Sequence, residues 1–298
     1  MLTIKQINFN GIDALTTQDV TQPKLVADSV IIKMHVMPVS PTDWKLESDA
    51  HATNENLAQL PRIIGIQGAG EVVAVGANRD QQLLHRRVLV INPAGTYSEY
   101  VQSTNPDWLF PLPDAVSDEA AAALSASTAL TLKRAIDRSD ADNIVLTGAN
   151  SVIGLTLLQL LHTEARPLYP VVTAASADYF KKQMPAIRAY TSEQLPQLPG
   201  NTLIIDIVGV LPLLQGLIKR TDTASVTSIV LMQNPGLPDF QFVHDDFNAA
   251  DYRHFIEQLA TGELKPIINR TFTIKETKQA QHFAKETHSR GRVLVTFD

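Results

Sequence analysis

From residue 1 to about residue 113 the apolar positions cluster in short runs, at residues 2–9, 29–36, 68–75, 87–91 and 97–101, with polar residues, Pro or Gly between them. Runs punctuated in this way predict β-strands. At residues 110–114 the sequence FPLPD carries two prolines and the pattern changes. Ala and Leu then recur at helical frequency through VSDEAAAALSASTALTLKRAI, with Ser117 placed to cap the helix. Beyond it strands and helices alternate: strand 144–147, helix 153–162, strand 170–174, helix 178–184, a short strand 187–190, strand 203–208, helix 211–219 and strand 226–232. This is repeated βαβ, the signature of a parallel sheet. A helix over 250–259 stops at Gly262, and residues 266–298 read again as strand, amphipathic helix and strand, a tail suited to return to the first domain.

One stretch carries candidate chemistry. NIVLTGANSVIGLTLLQLL, residues 143–161, is an apolar strand running through a tight turn into an apolar helix. In a Rossmann unit the amides of such a turn, at the positive end of the helix, bind a pyrophosphate. Against G-x-G-x-x-G the three positions hold Ala149, Ser151 and Gly154, so only the glycine that allows close helix packing remains. Ser151 either obstructs a phosphate or offers it a hydroxyl. A plain βα turn fits the same pattern. About twenty residues further on, VVTAAS has no acid to bind a ribose 2′-hydroxyl; Ser176, with Lys181 or Lys182, suits a 2′-phosphate, so NADP is expected over NAD. Asp206, inside the apolar run IIDIV, needs a partner and reads as structural.

Composition narrows the classes. The chain has 298 residues, enough for two domains, and its 44% apolar and 19% charged content excludes disorder as the main state. A formal charge of -6 without a dense Lys/Arg run argues against nucleic acid or an anionic membrane as partner. There is no cysteine, which removes disulfides, thiolate metal sites and thiol nucleophiles and fits a reducing compartment. The opening MLTIKQINFNG reads as a strand and no long apolar run follows, so a soluble, cytoplasmic protein is expected. The eight histidines are scattered; His35 reads as a packed strand residue, and His244-Asp245-Asp246 as a polar turn more readily than a metal site.

Several patches in one order resemble a family. VSPTDWKL (39–46), PRIIGIQGAGEVVAVG (61–76), GTYSEYV (95–101), FPLPDAVSDEAAAALSASTAL (110–130) and LATGELKPIINRTFTIKETKQAQHF (259–283) are similar to segments of the medium-chain dehydrogenases and reductases, in the zinc-free quinone oxidoreductase branch. The resemblance implies an α/β fold in which a GroES-like β-rich catalytic domain (1–115, closed by 266–298) carries an inserted Rossmann domain, a doubly wound parallel sheet (116–265). It implies NADPH in a cleft, hydride transfer to a small molecule, and a homodimer.

By the same resemblance Gly148, Ser151, Val152, Ile153 and Gly154 hold the cofactor's phosphates. Thr128 lies near its ribose or phosphate, Ser176, Lys181 and Tyr190 at its adenosine end, and Val208, Gly209 and Leu231 along its nicotinamide side. Thr128 is equally an ordinary helical threonine, and Tyr190 a strand-end aromatic. Alcohol dehydrogenases of this superfamily use a zinc ion held by Cys-His-Cys type ligands, which a cysteine-free chain cannot supply. Carbonyl polarisation then falls to hydrogen-bond donors, with Ser40, Thr42 and Lys45 as candidates, Ser40 also touching the cofactor, and Asp43 orienting or capping. Departures from the family are Ser40, Gln67, His85-Arg86 and Ser151-Val152. Ser40, Gln67, Ser151 and Val152 motivate a second reading, a degenerate member that binds nucleotide weakly or not at all and serves as a binding or regulatory module.

Overall fold

The protein is described by a computed structural model over residues 1–48, 52–124, 126–244, 247–287 and 290–297. Asp245 and Asp246 of the polar turn lie outside these residues. In chain order come strands Leu2–Gln6 (β1), Thr16–Asp19 (β2) and Val30–Val39 (β3), then helices Pro41–Leu46 (α1) and Asn54–Ala58 (α2). Strands Arg62–Ile63 (β4), Gln67–Val75 (β5), Arg87–Ile91 (β6), Tyr100–Ser103 (β7) and Leu109–Pro111 (β8) precede helix Asp118–Ala122 (α3). Helix Ala126–Arg138 (α4) leads into Asn143–Leu146 (β9), Val152–Leu160 (α5), Leu168–Pro170 (β10), Ala177–Gln183 (α6), Leu198–Asp206 (β11), Leu211–Ile218 (α7), Thr221–Ser228 (β12) and Phe240–Phe242 (β13). The chain closes with Ala249–Thr261 (α8), Ile268–Thr273 (β14), Thr277–Glu286 (α9) and Arg292–Thr296 (β15).

Two compact units divide this chain, Met1–Leu124 with Tyr252–Asp298, and Ser125–Asp251. Sequence patterning had set the divisions at 115/116 and 265/266. The first falls later because α3 packs on β3, β5 and β6. The second falls earlier because Tyr252 stacks on Phe110 with ring centroids 5.2 Å apart.

The first unit is β-rich. Its larger sheet runs β14-β15-β3-β5-β6-β8, with β7 also on β3, and a smaller one runs β2-β1-β4. Among the described residues of this unit only β14 and β15 pair as a parallel ladder; the other ladders are antiparallel. Strand β3, VIIKMHVMPV, is buried along most of its length because β5, β7 and β15 all pair with it, so its sequence lacks clean alternation. Ile32, Met34, Met37, Val72, Val88, Val90, Val293 and Val295 form its core. Tyr97, expected to open a strand, lies before β7; it is fully buried, and its hydroxyl donates to Pro38 O at 3.0 Å.

The second unit holds a five-stranded parallel sheet in the order β10-β9-β11-β12-β13. Strand β9, NIVL, is buried throughout, as a strand covered on both faces must be. The expected strand 187–190 reduces to one parallel bridge between Val171 and Tyr190. The strand expected to run to residue 232 ends at Ser228, whose hydroxyl accepts from the amides of Val230 and Leu231 at 3.1 and 3.0 Å and so turns the chain. Among the described residues no helix is long and apolar enough to cross a membrane.

Candidate functional site

In the parallel unit the strand order reverses between β9 and β11, and such a switch point opens a crevice at the carboxyl ends of the strands. The chain leaves β9 through Gly148, at φ +60, where a Cβ would meet Val208 Cγ1 at 2.7 Å. It enters α5 at Ser151, the N-cap, whose hydroxyl accepts from the Gly154 amide at 3.0 Å. The first amides of a helix lack intrahelical partners. With that of Gly154 capped, those of Val152 and Ile153 remain without a partner among the described residues. Gly154 itself is required: a Cβ there would lie 2.7 Å from Gly148 O and 2.8 Å from Ala149 Cα and O. The turn therefore keeps its tight geometry with two glycines, Gly148 and Gly154. Because the Ser151 oxygen accepts from the helix, its proton is left to donate.

A buried carboxylate ties this turn to its neighbours. Asp206, at the end of β11, is fully buried. Its Oδ1 accepts from Thr147 Oγ1 at 3.0 Å and from the amides of Val208 and Gly209 at 3.2 and 3.0 Å; its Oδ2 accepts from Ser228 Oγ at 2.8 Å. Thr147 Oγ1 accepts in turn from Ile207 N at 3.0 Å. Three strand ends, β9, β11 and β12, are thus knotted through one side chain. They carry Gly148, Val208, Gly209 and Leu231 together. Gly209, at φ +69, needs its glycine, since a Cβ would meet Val230 Cγ1 at 2.7 Å.

The expected adenosine-end residues follow β10. Ser176 is buried, and its hydroxyl accepts from Thr173 Oγ1 at 3.2 Å, so it is no simple surface serine. Lys181 and Lys182 are exposed in the last turn of α6. Tyr190 bridges to Val171 and packs on Tyr169 with centroids 5.6 Å apart. Arg188 lies over the Tyr190 ring at 4.8 Å, a cation that sequence reasoning missed although it stands two positions away. Thr128 sits in the first turn of α4, half-buried. A polar hollow of about 600 Å³, lined by Arg134, Arg138, Ser225, Thr227, Gln241 and His244 among others, includes none of these residues.

In the β-rich unit, α1 begins at Ser40, whose amide donates to Asp43 Oδ2 at 2.6 Å. Asp43 therefore caps α1, and burial of its carboxyl pushes it up to about 6, against the opposing pull of Ser40, Arg292 and Arg62. Thr42 and Lys45 are exposed on α1, and Ser40 is half-buried. Of the family departures, Gln67 has a local reason: its Nε2 donates to the carbonyls of Ala122 and Leu124, both at 3.2 Å, and so fastens the end of α3.

Residues 26–114 match the alcohol dehydrogenase GroES-like domain family. Over 213 residues the chain is 26% identical to the mitochondrial enoyl-acyl-carrier-protein reductase of Caenorhabditis elegans, covering 67% of this chain and 61% of that protein. Over 165 residues it is 26% identical to a quinone oxidoreductase of Sus scrofa, covering 54% of this chain and 49% of that one. These matches span about half to three fifths of the relatives' length. The quinone oxidoreductase of Coxiella burnetii superposes with a TM-score of 0.85 at 19% identity, covering 100% and 99% of the two chains. The Escherichia coli quinone oxidoreductase, solved in complex with NADPH, superposes with a TM-score of 0.80 at 16% identity, covering 99% and 100%. At such identities the likeness is one of fold.

Proposed function

We propose that this chain, a member of the medium-chain dehydrogenase/reductase superfamily in its quinone oxidoreductase-like branch, is a zinc-independent, NADPH-dependent reductase of quinones or α,β-unsaturated carbonyls. The observation that carries this reading is the turn between β9 and α5. It offers the unpartnered amides of Val152 and Ile153 and the free proton of Ser151, at the positive end of a helix and at the switch point of a parallel sheet. Such a set of donors suits two linked phosphates. Gly148, Val208, Gly209 and Leu231 supply the walls, with Thr128 beside the ribose or phosphate. Ser176, Lys181 and Tyr190, joined by Arg188, favour a 2′-phosphate, which is the argument for NADPH over NADH.

NADPH, when bound, supplies the hydride, and the protein's task is to position and to stabilise charge. The oxygen of the substrate carbonyl gains negative charge as it is reduced. Ser40 and Thr42 donate hydrogen bonds to it and Lys45 adds a cation. Asp43 holds the start of α1 through the Ser40 amide and takes no proton from substrate. The lack of cysteine, which leaves no thiolate for a Cys-His-Cys site, supports the zinc-independent reading. The reading as a relic scaffold is not favoured: Ser151 caps α5 and Gln67 fastens α3, so each of these two departures has a local structural use.

Titration of the purified protein with NADPH, followed by nicotinamide fluorescence, tests the reading. A saturable signal at submillimolar cofactor is expected, and its absence rejects the proposal. In the active protein, Thr42→Ala with Lys45→Ala lowers kcat by about a hundredfold or more while the NADPH dissociation constant stays put. Lys181→Ala with Arg188→Ala raises KM for NADPH and leaves that for NADH unchanged.

A further inference from the structure

Helix α9 packs against α1, and from it Gln281, fully buried, donates through Nε2 to Oε1 of the buried Glu47 at 3.0 Å. The other oxygen of each side chain, Glu47 Oε2 and Gln281 Oε1, is also buried and has no hydrogen-bond partner among the described residues. Two buried orphans on one bonded pair are costly, and both are acceptors while Glu47 is ionised. A single proton removes the conflict. On Glu47 Oε2 it turns that oxygen into a donor, and a neutral carboxylic acid meets a primary amide through two bonds, N–H to C=O and O–H to C=O.

We propose that Glu47 is held protonated at neutral pH and closes a two-bonded acid–amide ring with Gln281, so that the pair acts as a positioning clasp for α1. The surroundings agree. Burial pushes the Glu47 carboxyl up to about 8, outweighing the Gln281 hydrogen bond, while Asp43 of α1 adds to the rise and Arg62 of β4 opposes it. Other charged groups nearby are engaged elsewhere. Arg62 Nε donates to Gln6 Oε1 at 2.8 Å, and Arg292 of β15 donates through Nη1 to Val39 O at 3.2 Å. Lys278 and His282 of α9 bind Asp13, at 2.7 and 2.9 Å. Tyr97, pushed well up by burial and by Asp43 and Glu47, stays neutral and donates to Pro38 O.

The clasp completes a pattern. The residues preceding α1 are held by Arg292 and Tyr97 at Val39 O and Pro38 O. The end of α1 is held by Gln6 Nε2 on Leu46 O at 3.2 Å and by Gly11 N on Glu47 O at 3.0 Å. Gln281 and Arg292 both come from the closing segment of the chain, so that segment fastens both ends of the stretch that bears Ser40, Thr42 and Lys45. The bearing on catalysis rests on the reductase reading; the protonation state does not.

Difference infrared spectroscopy of the intact protein between mildly acidic and alkaline buffer tests the clasp directly. A buried protonated-carboxyl band that disappears with a midpoint at about pH 8 in the wild type, and is missing in E47Q, is expected. Lack of that band in the wild type overturns the proposal even if no variant folds. E47Q keeps two bonds as an amide–amide ring and is expected to fold. Because the folded pKa lies above the unfolded one, the folded state holds an extra proton between them, and stability falls as pH rises through that window. Relative to E47Q, the wild-type unfolding constant therefore rises about tenfold per pH unit from about 4.5 to about 8 and levels off above. The exchanged pair E47Q/Q281E restores the dependence. Coincident pH profiles of wild type and E47Q overturn the clasp. In an active enzyme kcat falls on the alkaline side in the wild type and not in E47Q. Absence of any turnover, with the infrared band and stability profile as expected, rejects the reductase reading and leaves the clasp standing.

Discussion

Gly154 and Ser151 show what one position can decide. Gly154→Ala forces a Cβ against Gly148 O and Ala149 at 2.7–2.8 Å, so α5 must lift off its strand. A loss of about 1–3 kcal/mol in chemical denaturation is expected, with NADPH binding abolished in the fluorescence titration. Ser151→Ala removes the Gly154 cap and costs about 1 kcal/mol of stability. It also removes the donor proposed for phosphate, weakening NADPH by about tenfold. Unchanged affinity would exclude this turn as the cradle. His85 adds a case where a departure from the family has a backbone meaning. It lies at φ +62, the left-handed region that glycine tolerates best. Its contact with Glu71 is mostly exposed and contributes little. His85→Gly is expected to raise stability, by up to about 1 kcal/mol, read as a higher denaturation midpoint.

At the scale of elements, the carboxyl ends of β9, β11 and β12 act as one piece because Asp206 accepts from Thr147, Ser228 and two amides. Asp206→Ala leaves buried donors without an acceptor and is expected to cost about 3 kcal/mol or more in urea unfolding. It should also weaken NADPH, since Gly148, Val208 and Leu231 lose their common anchor. A stability change within about 0.5 kcal/mol would refute this role. The need of Asp206 for a partner was legible in the run IIDIV, but not its side-chain partners, which lie 59 and 22 positions away. The repeated βαβ pattern was legible because its periods are local. Strand 187–190 was not, because pairing at a sheet edge depends on which neighbour reaches it, and only the Val171–Tyr190 bridge forms.

Across the whole molecule, the β-rich unit is assembled from both ends of the chain, Met1–Leu124 and Tyr252–Asp298. Its larger sheet places β14 and β15 directly beside β3. Truncation before Ile268 uncovers β3 and removes Val293 and Val295 from the core. Loss of soluble, folded protein, judged by circular dichroism and gel filtration, is expected. A truncated chain that stayed folded would deny the closing segment its structural place.

Local patterns by themselves determined most of the strands and helices, where the first of the two architectures gives way to the second to within about ten residues, and that the turn before α5 is tight, because hydrophobic period, prolines and glycine sterics act over a few residues. Tertiary structure alone decided that Asp206 gathers three strand ends and that Glu47 meets Gln281 across 234 positions. Those outcomes depend on burial and on partners brought together by folding, and a buried polar group's meaning is set by the atoms around it, which no short window of sequence contains.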